Sequence, residues 1–141
     1  MLLVDTKLAP SPIHGIGVFA TEFIRKGTII WKFTPVTDIL IKPSEVFEFP
    51  HFEKSYVHQY AYLSKRSNLY VLHTDNARFI NHSENPNMIS VPTNRSTEDI
   101  DIALRDIFEG EELTSNYDEY DKEFHLKIEI DSRAASQVRA A

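Results

Sequence analysis

The chain has no cysteine, which excludes a disulfide scaffold and any thiolate-ligated metal. It also lacks a long apolar run. The opening Met1-Leu2-Leu3-Val4 is broken at once by Asp5 and Lys7, too soon for a signal peptide or a membrane span. Positive charge is in deficit: 15 Lys and Arg stand against 21 Asp and Glu, a formal net charge of -6. A nucleic-acid binder that tracks phosphates would carry a basic face, so that class is not expected. An acidic surface suits a basic partner such as a lysine-rich tail, and it serves solubility equally well. Asn81-His82-Ser83 and Asn94-Arg95-Ser96 match the glycosylation acceptor pattern, but without export the match has no meaning. A cytoplasmic protein with no membrane contact is the expectation.

What is present reads as one packed domain over residues 1–131, followed by a frayed tail over 132–141. Val4 to Leu8 predicts a short strand, stopped by Ala9-Pro10-Ser11-Pro12. Gly15-Ile16-Gly17-Val18-Phe19-Ala20 is a small-residue turn running into an apolar strand. Thr28 to Phe33 is β-branched and aromatic, as strands prefer. Pro43-Ser44 would open a short helix capped by Ser44. His51 to Leu63 places Phe52, Tyr56, Tyr60 and Leu63 at helical spacing. Leu69 to Leu72 and Ile100 to Leu104 return to strand, and Phe124, Leu126, Ile128 and Ile130 would form a last packed segment. An internal echo links Ile24-Arg25-Lys26-Gly27 with Ile107-Phe108-Glu109-Gly110, which implies two turn-linked strand pairs. The picture is mostly β with one or two helices.

Residues 78 to 87, Arg-Phe-Ile-Asn-His-Ser-Glu-Asn-Pro-Asn, form the most informative stretch. An apolar approach leads into a run that is polar except for one proline. Asn, Ser and Pro favour turns, so this is a tight loop rich in amide and imidazole groups. Taken alone it is equally an Asn-rich structural turn. His51 and His58 share a helix face, but no third metal ligand stands near them in sequence.

Three elements follow in order: Gly15-Ile16-Gly17, then Arg78 to His82 with Pro86-Asn87, then Gly110-Glu111-Glu112-Leu113-Thr114-Ser115-Asn116-Tyr117. In that order and at these separations the chain resembles the SET-domain protein lysine methyltransferases, from about residue 13 to about residue 120. Its size resembles the minimal viral or bacterial members. The resemblance implies a SET fold of several small, mostly antiparallel sheets, with the segment after residue 105 threaded near the Asn81-His82 loop as a pseudoknot. It implies S-adenosylmethionine as cofactor, no metal, and a lysine-containing protein or peptide as partner. Gly15, Ile16, Gly17, Asn81 and His82 would hold the cofactor, flanked by Arg78 and Phe79, with Arg78 tied to Asp or Glu neighbours. Phe124 or Tyr120 would cover the adenine. Tyr117 would be the catalytic tyrosine, with Tyr62, or its competitor Tyr60, as a second channel tyrosine. Glu84 stands where many relatives carry a zinc-ligating cysteine. Residues 118 to 130, or a second subunit in a homodimer, would therefore complete the channel. Two other readings stay open: a peptide-binding module that has lost transfer, and methylation of a non-lysine amine.

Overall fold

The computed structural model describes residues 1–127. In chain order the strands are β1 (Thr6–Pro10), β2 (Ile16–Ala20), β3 (Ile29–Trp31), β4 (Asp38–Ile41), β5 (Ala61–Leu63), β6 (Tyr70–His73), β7 (Asn81–His82), β8 (Met88–Val91), β9 (Ile100–Ala103) and β10 (Thr114–Ser115). Helices α1 (Pro43–Glu48) and α2 (His51–Tyr60) lie between β4 and β5. The strands form four small sheets: β1-β2, β3-β9-β8, β4-β6-β5 and β10-β7. Three are antiparallel and the last is parallel. This is the mostly β architecture expected. No helix among the described residues is long and apolar enough to cross a membrane.

The internal echo is a contact in space. Ile24 and Ile107 exchange both backbone hydrogen bonds at 2.8 Å. Gly27 and Gly110 take φ of 84° and 90°, the left-handed turn conformation that glycine adopts without steric cost. Both isoleucines are buried with Val18, Ile30, Met88 and Leu113 in the larger core. From there the chain runs along the first hairpin, Leu113 N–H donating to the Val18 carbonyl at 2.8 Å. It then lays Thr114 and Ser115 parallel to Asn81 and His82. Residues after 105 thus reach the Asn81-His82 loop.

Several local expectations are corrected. β1 continues through Pro10, which pairs with Ile16 as the strand's last residue; a proline is tolerated at a strand end because no ladder donor is missed there. The segment beginning at His51 leaves the helix at Tyr60 and becomes β5. Its expected core face is only partly real: Phe52 is 83% exposed and the buried residue is Val57. Helix α1 is capped at Lys42, not Ser44, with Pro43 in the first turn and Glu45 accepting the Lys42 N–H at 2.9 Å. That follows the preference of proline for the first helical position, where its missing N–H costs nothing. The polar loop is strand at its start, where Asn81 and His82 find β10 as a partner. Phe124 is buried whereas Leu126 is exposed; Ile128, Ile130 and the tail lie outside the described residues.

Ile107→Ala removes a fully buried side chain and is expected to cost about 2–5 kcal/mol. Val36→Ala, at a site 87% exposed, should stay within about 0.5 kcal/mol. Urea unfolding of the two variants checks the contrast.

Candidate active site

The approach to the Asn81 loop is fixed by Asp75. Its side chain caps a 3-10 turn over Asn76–Phe79, accepting the Ala77 N–H at 3.2 Å and the Leu2 N–H at 2.8 Å. The turn delivers Asn81, 8% exposed, against the glycine turn. Its Nδ2 donates to the His14 carbonyl at 3.0 Å, the Ile16 carbonyl at 3.2 Å and Glu112 Oε1 at 2.8 Å. Ser11 Oγ reaches both oxygens of the same carboxylate, at 2.8 and 2.9 Å. A Cβ on Gly17 would stand 2.2 Å from Glu112 Oε1, so glycine is required there by the carboxylate packed on it. Asn87 completes the frame from the far end of the loop. Its Nδ2 donates to the Glu112 carbonyl at 2.8 Å, and its Oδ1 accepts the Thr114 N–H at 2.9 Å.

Tyr117 follows β10 directly. Its backbone N–H donates to His82 Nδ1 at 3.2 Å, its ring lies 5.3 Å from the imidazole, and its hydroxyl donates to the Ile80 carbonyl. Burial lowers the His82 pKa against the opposing pull of Glu84 and Asp118, which keeps the ring neutral and Nδ1 free to accept. Phe124 packs on the other side of His82 at 4.8 Å. Asn81, His82, Tyr117 and Phe124 are therefore brought together beside Gly15–Gly17.

Behind Tyr117 opens a cavity of about 100 Å³. Aromatic rings run along it: Tyr117 to Tyr120 at 6.0 Å, Tyr120 to Tyr62 at 4.9 Å, Tyr62 to His73 at 5.7 Å and His73 to Trp31 at 5.1 Å. Burial, reinforced by nearby negative charge, raises the Tyr62 and Tyr120 pKa values well above the usual phenol range. Both phenols keep their protons at neutral pH.

Other expected residues fall elsewhere. Tyr60 also borders the cavity, but its ring pairs with Tyr56 and Phe79. Tyr120 bonds Ser115 Oγ at 2.9 Å and faces Tyr62, away from the His82–Phe124 pair. Arg78 makes no ion pair with an Asp or Glu among the described residues. Its guanidinium stacks over Phe79 at 4.7 Å and reaches the Thr74 carbonyl, because the 3-10 turn carries it along its own backbone. Phe79 in turn packs against the core. Asp38, His73 and Asp75 come close enough to suit a metal ion. Their carboxylates already accept from the Met1 ammonium, Thr34, Leu2 and Ala77. Sequence reasoning missed Glu112 and Asn87 as organisers, although both lie inside motifs it singled out. It gave no sign that Glu98 and Asp101 line the cavity.

The SET-domain family model matches residues 15–118. A Drosophila melanogaster histone-lysine N-methyltransferase, trr, is 32% identical over 124 residues, covering 78% of this chain and 5% of that protein. The chain thus spans about a twentieth of the curated relative's length. Among solved structures, Chaetomium thermophilum Polycomb Repressive Complex 2 bound to the inhibitor GSK126 superposes with a TM-score of 0.66 at 24% identity, over 89% of this chain and 17% of that one. A Plasmodium falciparum protein, provisionally assigned as a histone methyltransferase, gives 0.57 at 23% identity over 82% and 95%. The order of the three motifs, the sheets that carry them and the family match converge: this chain belongs to the SET-domain family.

Proposed function

We propose that the protein transfers a methyl group from S-adenosylmethionine to the ε-amine of a lysine in a basic protein segment. The observation that carries this reading is the position of Tyr117. Its hydroxyl meets the carbonyl of Ile80, next to Asn81, while its ring borders the aromatic cavity. One phenol thus lies between a polar pocket and an aromatic one.

The polar side fits the cofactor by the chemistry of its groups. Asn81 commits its amide nitrogen to the glycine turn, leaving Oδ1 as the acceptor for an ammonium. Gly15 takes φ of 47° with nothing within 4 Å of a built Cβ, so its backbone is open to close approach. Phe124 and His82 offer flat faces for a nucleobase. When bound, S-adenosylmethionine supplies a methyl group on a positively charged sulfur.

The acceptor must be an uncharged amine. A free lysine at pH 7 is neutral about once in 2,500 molecules, and losing its proton costs about 4.6 kcal/mol. The rings of Tyr62, Tyr117 and Tyr120 exclude water and disfavour the ammonium by desolvation. Tyr117 then aims the amine toward the polar side, and such placement accounts for much of the rate. Similarity to a protein named as a histone-lysine methyltransferase supports lysine as the acceptor. The substrate backbone would dock as an added strand on a sheet edge, the recurring mode for extended peptides.

Labelled cofactor incubated with lysine-rich proteins tests the reading. Label on lysine supports it, whereas cofactor bound with no label moved would make the chain a binding module. Tyr117→Phe should lower turnover by about 100-fold and leave S-adenosylhomocysteine affinity within a few-fold; unchanged turnover would refute the role. Gly17→Ala would push Glu112 off Asn81 and should weaken S-adenosylhomocysteine binding by about 10-fold, as measured by calorimetry.

A further inference from the structure

The cavity behind Tyr117 holds more acid than its own bases neutralise. Four basic residues line it: Lys65, Arg66 and Lys127 pair with Asp118, Asp99 and Asp121, and Arg78 stacks over Phe79. Three carboxylates that line it, Glu98, Asp101 and Glu119, have no ion-pair partner among the described residues. Asp101 sits on β9 directly opposite Trp31 on β3 and Ser90 on β8. The three side chains therefore share one face of the sheet. Ser90 Oγ donates to Asp101 Oδ1 at 2.6 Å. Glu98 is 2% exposed and accepts from Ser64 Oγ at 2.7 Å through Oε2 only.

Two buried polar atoms in this lining have no hydrogen-bond partner among the described residues: Glu98 Oε1 and Trp31 Nε1. Orphaned buried groups are costly, and native structures keep few without a reason. One needs a donor and the other an acceptor. The cavity they border is where both would come from. Burial also pushes the Asp101 carboxyl up to about 6 against the opposing pull of Ser90 and His73. The rings of Trp31, His73 and Tyr62 form the cavity walls. A flat cation with several N–H groups matches two carboxylates between aromatic faces, as a compact, strongly hydrated ammonium does not.

We propose that this acidic end of the cavity binds an arginine side chain of the substrate, so that the protein selects segments carrying arginine close to the target lysine. The guanidinium meets Asp101 and Glu98, and a peptide carbonyl accepts the Trp31 N–H. The preference for substrate rests on the transferase reading; the arginine site itself does not.

Trp31 is the only tryptophan, so its fluorescence reports on the site directly. Titration with N-acetyl-arginine amide should give a saturable change at pH 7.5, and the neutral isostere N-acetyl-citrulline amide should give none. Asp101→Asn and Glu98→Gln should each weaken the arginine response by about 10-fold or more, whereas Val36→Ala, outside the cavity, should leave it unchanged. The charged groups facing Asp101 are His73 from β6, Glu119 after Tyr117 and Asp99 from the approach to β9; the phenols Tyr62 and Tyr120 complete its surroundings. Guanidinium binding favours the ionised carboxyl, so affinity should fall as pH drops through about 6. In turnover, replacing arginine by citrulline in a lysine peptide should lower kcat/KM by about 10-fold in the native chain and little in Asp101→Asn. No saturable response to arginine, or an equal response to citrulline, overturns the proposal. Absence of methyl transfer would instead overturn the transferase reading, and the fluorescence result would still decide the arginine site.

Discussion

The site depends on one half-buried carboxylate. Glu112 is held by Ser11 and donated to by Asn81, and it occupies the space that any side chain at residue 17 would need. Its own backbone carbonyl is fixed by Asn87. One residue of the last motif thus touches the first and second at once. Hydrogen bonds to a charged group are roughly twice as strong as neutral ones. Removing any one partner leaves the others to satisfy a partly buried charge. The glycine turn, the Asn81 loop and the segment leading to Tyr117 therefore hold their relative positions as one unit.

Behind that unit the cavity sets two requirements against each other. A neutral amine is favoured where water is excluded and opposing charge is far. Attraction of a basic segment needs negative charge close by. Phenols, Ile80, Glu98 and Asp101 line the cavity together; Asp101 lies opposite Trp31, and Glu98 Oε2 accepts from Ser64 and Tyr62. Under the proposed reaction, a carboxylate beside the amine would hold its proton on, and one farther along would draw in positive charge without that penalty. Burial, with smaller contributions from nearby negative groups including Asp101, raises the pKa values of Tyr62 and Tyr120.

Much of this was legible from residue order. The Asn81-His82 loop, the glycine turn and Tyr117 announced themselves because their chemistry is local: turn formers, a missing Cβ, a polar run after an apolar approach. The echo between Ile24 and Ile107 was visible because repeated turns repeat their punctuation. Less visible was anything decided by a distant partner. Pro10 looked like a strand breaker, yet it closes a strand whose register is set by Ile16. Asn81 and His82 looked too polar for a sheet, and they pair because Thr114 and Ser115 arrive alongside. Arg78 looked like an ion-pair former and stacks on its own neighbour instead. Glu98 and Asp101 carry no local mark of burial, since exposed acids have the same spacing and composition.

The pairing of β7 with β10 also joins stability to chemistry. The residues that lead into it, Ile107 and Leu113, are fully buried in the larger core, and Leu113 bonds Val18 one residue beyond the glycine turn. Two residues after the pairing ends, the Tyr117 hydroxyl reaches the Ile80 carbonyl. Loosening of the core near Ile107 would therefore move the phenol before it unfolded the sheets, because a strand pair of two residues has little strength of its own. A chain of this size has few elements to devote to each task. Here a single threaded segment closes the core, fixes the Asn81 frame through Glu112, and presents the tyrosine at the boundary of the two pockets.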